Sequence, residues 1–112
     1  MGLTKSDLFT AQQNELAQLA KAMGHPARIA ILQYLLNAKS CINGTLVLEL
    51  GLAQATISQH LRELKEIGLI KGTVEGVSMS YCINSEKWES VKTLFNGLFD
   101  QHENVLPAPD CC

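Results

Sequence analysis

A chain of 112 residues, 46% hydrophobic and 18% charged, is the size of one domain with one core and has ordinary globular composition. Its longest apolar stretches, such as 29–36, are broken by Gln33 and fall far short of the roughly 20 residues that cross a bilayer, so no membrane span is expected. The net charge of −2 argues against a nucleic-acid partner, but residues 20–72 carry six basic side chains against three acidic ones, and residues 73–112 carry two against six.

The first residues, Met-Gly-Leu-Thr-Lys-Ser, show no apolar run of signal-peptide type, which predicts a cytoplasmic protein whose four cysteines are free thiols or ligands. Residues 7–23 place Leu8, Leu16, Leu19, Ala20 and Met23 on one face of an amphipathic helix that stops at Gly24. Pro26 suits the first position of a second helix, which Ile29, Ile31, Leu32, Leu35 and Leu36 carry to about Asn37. The segment 38–44 reads as a connector containing Cys41. Thr45 is placed to cap a short helix through Leu50, and Gly51 to end it.

Over 53–67, Ile57, Leu61 and Leu64 fall at i, i+4 and i+7, with Gln59, Arg62 and Glu66 roughly opposite, so this helix has a dry back and a polar front. Two helices joined at Gly51-Leu52, the second polar outward, form a helix-turn-helix. Gly68 ends the second, and 69–74 and 77–83 read as strands around Glu75-Gly76, a hairpin that would serve as a wing. Ser85 is expected to cap a last helix carrying Trp88, Val91, Leu94, Phe95, Leu98 and Phe99. The fold class is therefore mainly α with a small β-hairpin, a winged helix-turn-helix over 1–103 with a loose tail, 104–112, ending in Cys111 and Cys112. The last helix is richer in apolar residues than a monomer of this size can cover. The first and last helices are thus expected to form a homodimer, the alternative being that they close the monomer core.

The run Leu-Gly-Leu-Ala-Gln-Ala-Thr-Ile-Ser-Gln-His-Leu-Arg-Glu-Leu-Lys-Glu-Ile-Gly-Leu-Ile, residues 50–70, resembles the recognition segment of the ArsR/SmtB family of bacterial metal- and stress-responsive repressors. Met-Gly-His-Pro-Ala-Arg-Ile-Ala-Ile-Leu (23–32) resembles that family's second helix, and Gly76 through Tyr81-Cys82-Ile83 its wing; together the resemblance covers about residues 16–90. It implies a homodimer packed through its terminal helices, bound to a double-stranded DNA operator and released by an inducer. The amides and hydroxyls of Gln54, Thr56, Ser58 and Gln59 suit base edges in the major groove, and Arg62 suits phosphate. Two departures stand out. Ala53 occupies a position where the family often has a capping Ser, and Glu75-Gly76-Val77 lacks the Arg or Lys common at the wing tip.

In family members that detect arsenite, antimonite or soft metals, the ligands are cysteines near the third helix or the chain ends. Cys41, in Cys-Ile-Asn-Gly, resembles a variant reading Cys-Ile-Cys-Gly, with Asn43 in place of the second cysteine. The resemblance therefore implies Cys41, Cys111 and Cys112 as a thiolate set for As(III), Sb(III) or another thiophilic metal. The segment 104–112, extended at about 3.3 Å per residue, spans roughly 30 Å, enough to cross a small domain. The alternatives are a bystander tail with Cys41 as a small buried hydrophobe, and a redox switch at the vicinal cysteines. Cys82 reads as structural, apart from the other three. Asp100 and His102 resemble part of a last-helix zinc motif whose partners are absent, and His25 and His60 read as capping or DNA-face residues. No nucleophile, base and orienter cluster and no phosphate loop is visible, so neither catalysis nor a required cofactor is expected. A protein-interaction winged helix is the competing class.

Overall fold

The computed structural model describes residues 8–104 apart from Thr45 and Val77; the tail with Cys111 and Cys112 lies outside the described residues, as does Thr45, the expected cap. Helix boundaries follow local hydrogen-bond chemistry. Helix α1 (Ala11–Met23) opens on a capping box in which the Gln13 N–H donates to Thr10 Oγ1 and the Thr10 N–H to Gln13 Oε1, both at 3.0 Å. This fixes its start later than the periodicity implied. Helix α2 (Pro26–Ala38) begins at the expected proline, with His25 as its cap: Nδ1 accepts from the Ala27 N–H at 3.0 Å. A short α3 (Val47–Leu50) has Leu46 at its N-cap position and ends at Gly51, whose φ of 70° is left-handed and whose N–H reaches the Val47 carbonyl at 2.9 Å. Helix α4 (Gln54–Glu66) follows, and Ala53 gives it no side-chain cap.

The expected hairpin is two strands of a three-stranded antiparallel sheet. β1 (Ile42–Asn43) lies in the segment read as a connector; β2 (Ile70–Thr73) and β3 (Ser80–Ile83) form the wing, in the order β1-β3-β2. β1 pairs Ile42 with Tyr81 and Asn43 with Ser80, and the Gly44 N–H adds a bond to the Met79 carbonyl at 3.1 Å. The Tyr81 hydroxyl donates to the Gly44 carbonyl, also at 3.1 Å. Gly72 stands opposite Tyr81 with φ 114°, and a Cβ there would strike the Ser80 carbonyl and come within 2.9 Å of the Tyr81 Cα, so only glycine fits. The last helix, α5 (Ser85–Phe99), is capped by Asn84 rather than Ser85: Asn84 Oδ1 accepts from the Lys87 N–H at 3.3 Å, which makes Ser85 the first helical residue. A 3₁₀ turn, Asp100–Asn104, continues it.

One core joins the helices to the sheet. Leu19 of α1, Ile31, Leu32 and Leu35 of α2, Leu46, and Val91 of α5 close around Ile57, Leu61 and Leu64 of α4, with Leu69, Ile70 and Tyr81 from the sheet side. A polar clamp adds to it. Arg28 of α2 donates from Nε to His60 Nδ1 at 3.0 Å and from Nη1 to the Ala22 carbonyl at 3.0 Å, tying the end of α1 and the middle of α4 to α2. The His25 ring lies 4.5 Å from that of His60. His60 is only 7% exposed and so is not on a DNA face: it sits three residues after Ile57 and four before Leu64, within the angular range of the buried stripe. Because Nδ1 accepts a bond, the ring is neutral with its proton on Nε2. Burial above all, then the charges of His25 and Arg28, lower the His60 pKa, against a smaller opposing pull from Glu63.

Two predictions follow from these helix contacts. Ala53→Ser supplies the missing cap of α4 and is expected to stabilise the protein by about 1 kcal/mol in denaturant unfolding; no gain would mean that the α4 N-terminus is satisfied otherwise. His60 binds its proton more weakly folded than unfolded, so the unfolded chain takes up more protons as pH drops. Its contribution to stability is present above the ordinary histidine pKa of about 6.5 and is lost as pH falls from there through the lowered folded value. Thermal unfolding from pH 7.5 to 5 should show this loss, and His60→Asn should flatten it. An equal slope in parent and variant would remove His60 as its source.

Candidate nucleic-acid interface

The side chains read as DNA contacts lie on the part of α4 that the core leaves outside. Ile57, Leu61 and Leu64 are each 0% exposed, which fixes the rotation of the helix and turns Gln59 and Arg62 most directly outward. Gln54, Thr56, Gln59 and Arg62 are exposed and Ser58 is half-buried. Gln54 and Ser58 share one flank, where Gln54 Nε2 donates to Ser58 Oγ at 3.0 Å and lies 4.0 Å from Met79 Sδ at the foot of the wing. By the 100° step of the helix Thr56 lies on the other flank. Four of the five side chains are thus gathered along one polar strip, and Thr56 borders it. Amides and hydroxyls spaced this way can each donate and accept at base edges, and α4 itself carries no acidic residue before Glu63.

The sequence did not disclose the setting of Arg62. Its Nε lies 3.5 Å from Glu75 Oε1 at the wing turn, with both side chains more than half exposed. Arg62, Lys65, Thr73 and Glu75 line a shallow groove between α4 and the wing. The wing therefore brings a carboxylate, rather than a cation, beside Arg62. An exposed pair of this kind contributes about 0–1 kcal/mol and opens readily.

The cysteines depart most from expectation. Cys82 is not apart from Cys41: β1 sets Cys41 directly across from it, one step beyond the Ile42–Tyr81 pair, with Cα atoms 4.3 Å apart and the sulfurs joined as a disulfide. Neither is a free thiol in this structure, and Cys41 is exposed rather than buried. Among the described residues no three His, Cys, Asp or Glu side chains converge as a metal site. No described helix is long and apolar enough to cross a membrane.

Comparison with known proteins places this geometry. The family model for bacterial regulatory proteins of the arsR family matches residues 25–71, from the α2 cap to β2. The transcriptional repressor PagR of Bacillus anthracis is 36% identical over 81 residues, covering 71% of this chain and 80% of PagR. The HTH-type transcriptional regulator YgaV of Escherichia coli is 32% identical over 84 residues, covering 75% and 85%. The regulator CmtR of Mycobacterium tuberculosis is 36% identical over 72 residues, or 64% of this chain, which spans only 60% of CmtR. In three dimensions the chain resembles the crystal structure of NolR from Sinorhizobium fredii with a TM-score of 0.59 and 23% identity, over 88% of this chain and 96% of NolR, a likeness of fold. The chain belongs to the arsR family of bacterial regulatory proteins, a family of transcriptional regulators and not of enzymes, with the winged helix-turn-helix fold.

Proposed function

We propose that this protein is a cytoplasmic, homodimeric transcriptional repressor that reads an imperfectly palindromic DNA operator with the outer strip of α4 and is released by an inducer acting on thiols. The strip itself carries the reading: four amide, hydroxyl and guanidinium side chains on the outer side of a helix whose back is sealed. The dimer is supported by apolar surface at the two chain ends. Leu8, Phe9, Leu98 and Phe99 are 63%, 55%, 46% and 63% exposed, whereas Leu19 and Val91 serve the monomer core. The contact is thus centred on the start of α1 and the end of α5, more than on the 16–23 stretch. A two-fold axis there would present α4 from each half to major grooves about 34 Å apart. For the inducer, As(III) or Sb(III) held by Cys41, Cys111 and Cys112 is the proposed set. Since Cys41 is joined to Cys82, that set requires the disulfide to be opened first. The same pairing favours thiol oxidation as the second reading.

Gel shifts on a selected operator test the reading head. Gln59→Ala should relax base preference at one operator position by roughly 1–3 kcal/mol, whereas Arg62→Ala should weaken all sequences alike and lower the salt slope by about one. Equal effects from both would contradict the assigned roles. Glu75→Gln frees Arg62 and removes a carboxylate from the phosphate side, so affinity should rise about 2- to 5-fold, within the energy of an exposed pair; unchanged or weaker binding would show that Glu75 does not restrain Arg62. Phe99→Glu should shift the sedimentation mass from dimer to monomer, and an unaltered mass would move the interface elsewhere. For induction, arsenite-driven DNA release by the reduced parent should be lost in Cys41→Ser and in a chain ending at Pro109. Release by peroxide in place of arsenite would favour the redox reading.

A further inference from the structure

A surface cavity of about 440 Å³ lies where the end of α2, the sheet and the start of α5 meet, and none of the side chains assigned to DNA lines it. Small-molecule sites occupy about 300–1,000 Å³. Its apolar wall is made by Leu35 and Leu36 from the last turn of α2, Ile83 at the end of β3 and the half-buried Trp88 of α5. Lys39 and Lys71 bring two ammonium groups to the lining and Glu89 one carboxylate, so one positive charge is in excess. Lys71 stands opposite Cys82 in the β2–β3 register, and residues directly opposed in an antiparallel pair share a face of the sheet. The ion pairs among the described residues are Arg62–Glu75 and Lys87–Glu15, which leaves both lysines of the cavity without a carboxylate there. Lys39 is also the one described non-glycine residue with a positive φ, 56°, at the C-cap of α2, where glycine or asparagine fits with less strain. The chain thus keeps a cation at this cavity at a conformational cost.

We propose that this cavity binds a small aromatic monocarboxylate, its ring against Trp88 and the apolar wall and its carboxylate held by Lys39 and Lys71. Each part of the lining selects a part of the ligand. Leucine, isoleucine and indole surfaces favour a flat hydrocarbon body, through burial and through offset stacking on the indole. Two ammonium groups favour an anion, whereas a neutral molecule of the same shape leaves them unpaired beside its ring. Glu89 stands against a second negative charge, because like charges across a contact oppose binding. No free thiol takes part, so the site works with Cys41 and Cys82 joined. A ligand seated here touches α2, the sheet and α5 at once, and α5 ends in the exposed Leu98 and Phe99. Any effect on repression through that end rests on the dimer reading; binding in the cavity does not.

The test uses the full chain with the Cys41–Cys82 disulfide intact and 2-naphthoate as the probe. Trp88 is the chain's single tryptophan, so its indole N–H resonance in a two-dimensional ¹H–¹⁵N spectrum reports on this cavity. The expected result is a saturable displacement of that resonance with one site per chain and a Kd on the order of 0.1–1 mM, as suits a ligand of this size. 2-Naphthamide, the same body without the charge, should bind about 10-fold more weakly, and Lys71→Gln and Lys39→Gly should each weaken 2-naphthoate about 3- to 5-fold. Lys39→Gly separates binding from folding: glycine relieves the left-handed position, so this variant should be at least as heat-stable as the parent while it binds less. A Trp88 resonance that 2-naphthoate does not move, equal affinity for the amide, or undiminished binding by both lysine variants overturns the proposal. Because binding is read without DNA, failure of the operator reading appears separately, as a protein that takes up the carboxylate but retains no duplex.

Discussion

Sealing Ile57, Leu61 and Leu64 from solvent decides which way the rest of α4 faces, and everything assigned to DNA depends on it. Burying each of these side chains contributes about 1.5–3 kcal/mol, far more than any polar contact on the outer strip. The Arg28 clamp adds direction to that burial. A guanidinium that reaches both the Ala22 carbonyl and the buried His60 ring holds the ends of α1 and α2 at a set position against α4. Helix α4 is thus seated by apolar packing and oriented by one hydrogen-bonded histidine.

The wing is attached with less material. β1 contributes two residue pairs, strengthened by the Gly44 bonds to Met79 and Tyr81, and the Arg62–Glu75 contact crosses from helix to wing at the solvent surface. Small attachments are where a ligand or a charge change can act, because a core of fully buried leucines offers no comparable freedom. Both the Cys41–Cys82 pair and Glu75 lie on these attachments, at the sheet rather than on the outer face of α4.

Most of the architecture was legible because its elements are long enough to carry a period. Thirteen residues of α4 display the 3.6-residue stripe unmistakably, and Pro26 and Gly51 punctuate their helices for conformational reasons that hold in any context. β1 was not legible: two residues cannot show an alternation, and its existence depends on the free edge of β3. The position of Cys82 beside Cys41 was lost with it, since the pairing follows from that register alone. Asn84 and Ser85 are adjacent residues of similar capping strength, and the choice between them is made by where α5 packs. His60 did carry a signal, its place within the apolar stripe, but its polarity drew it toward the surface reading. Arg62 and Glu75 meet only through the fold.

The central claim, that a dimer reads duplex DNA with the front of α4, is tested most directly by selecting binding sites from a random duplex pool with the reduced full-length protein. The account predicts enrichment of a two-fold-related motif whose half-site centres lie about 34 Å apart or at a multiple of that spacing, with base preference altered at the same positions in both halves by Gln59→Ala. Retention of duplexes without any enriched motif, or a single asymmetric site unaffected by Gln59→Ala, would contradict it.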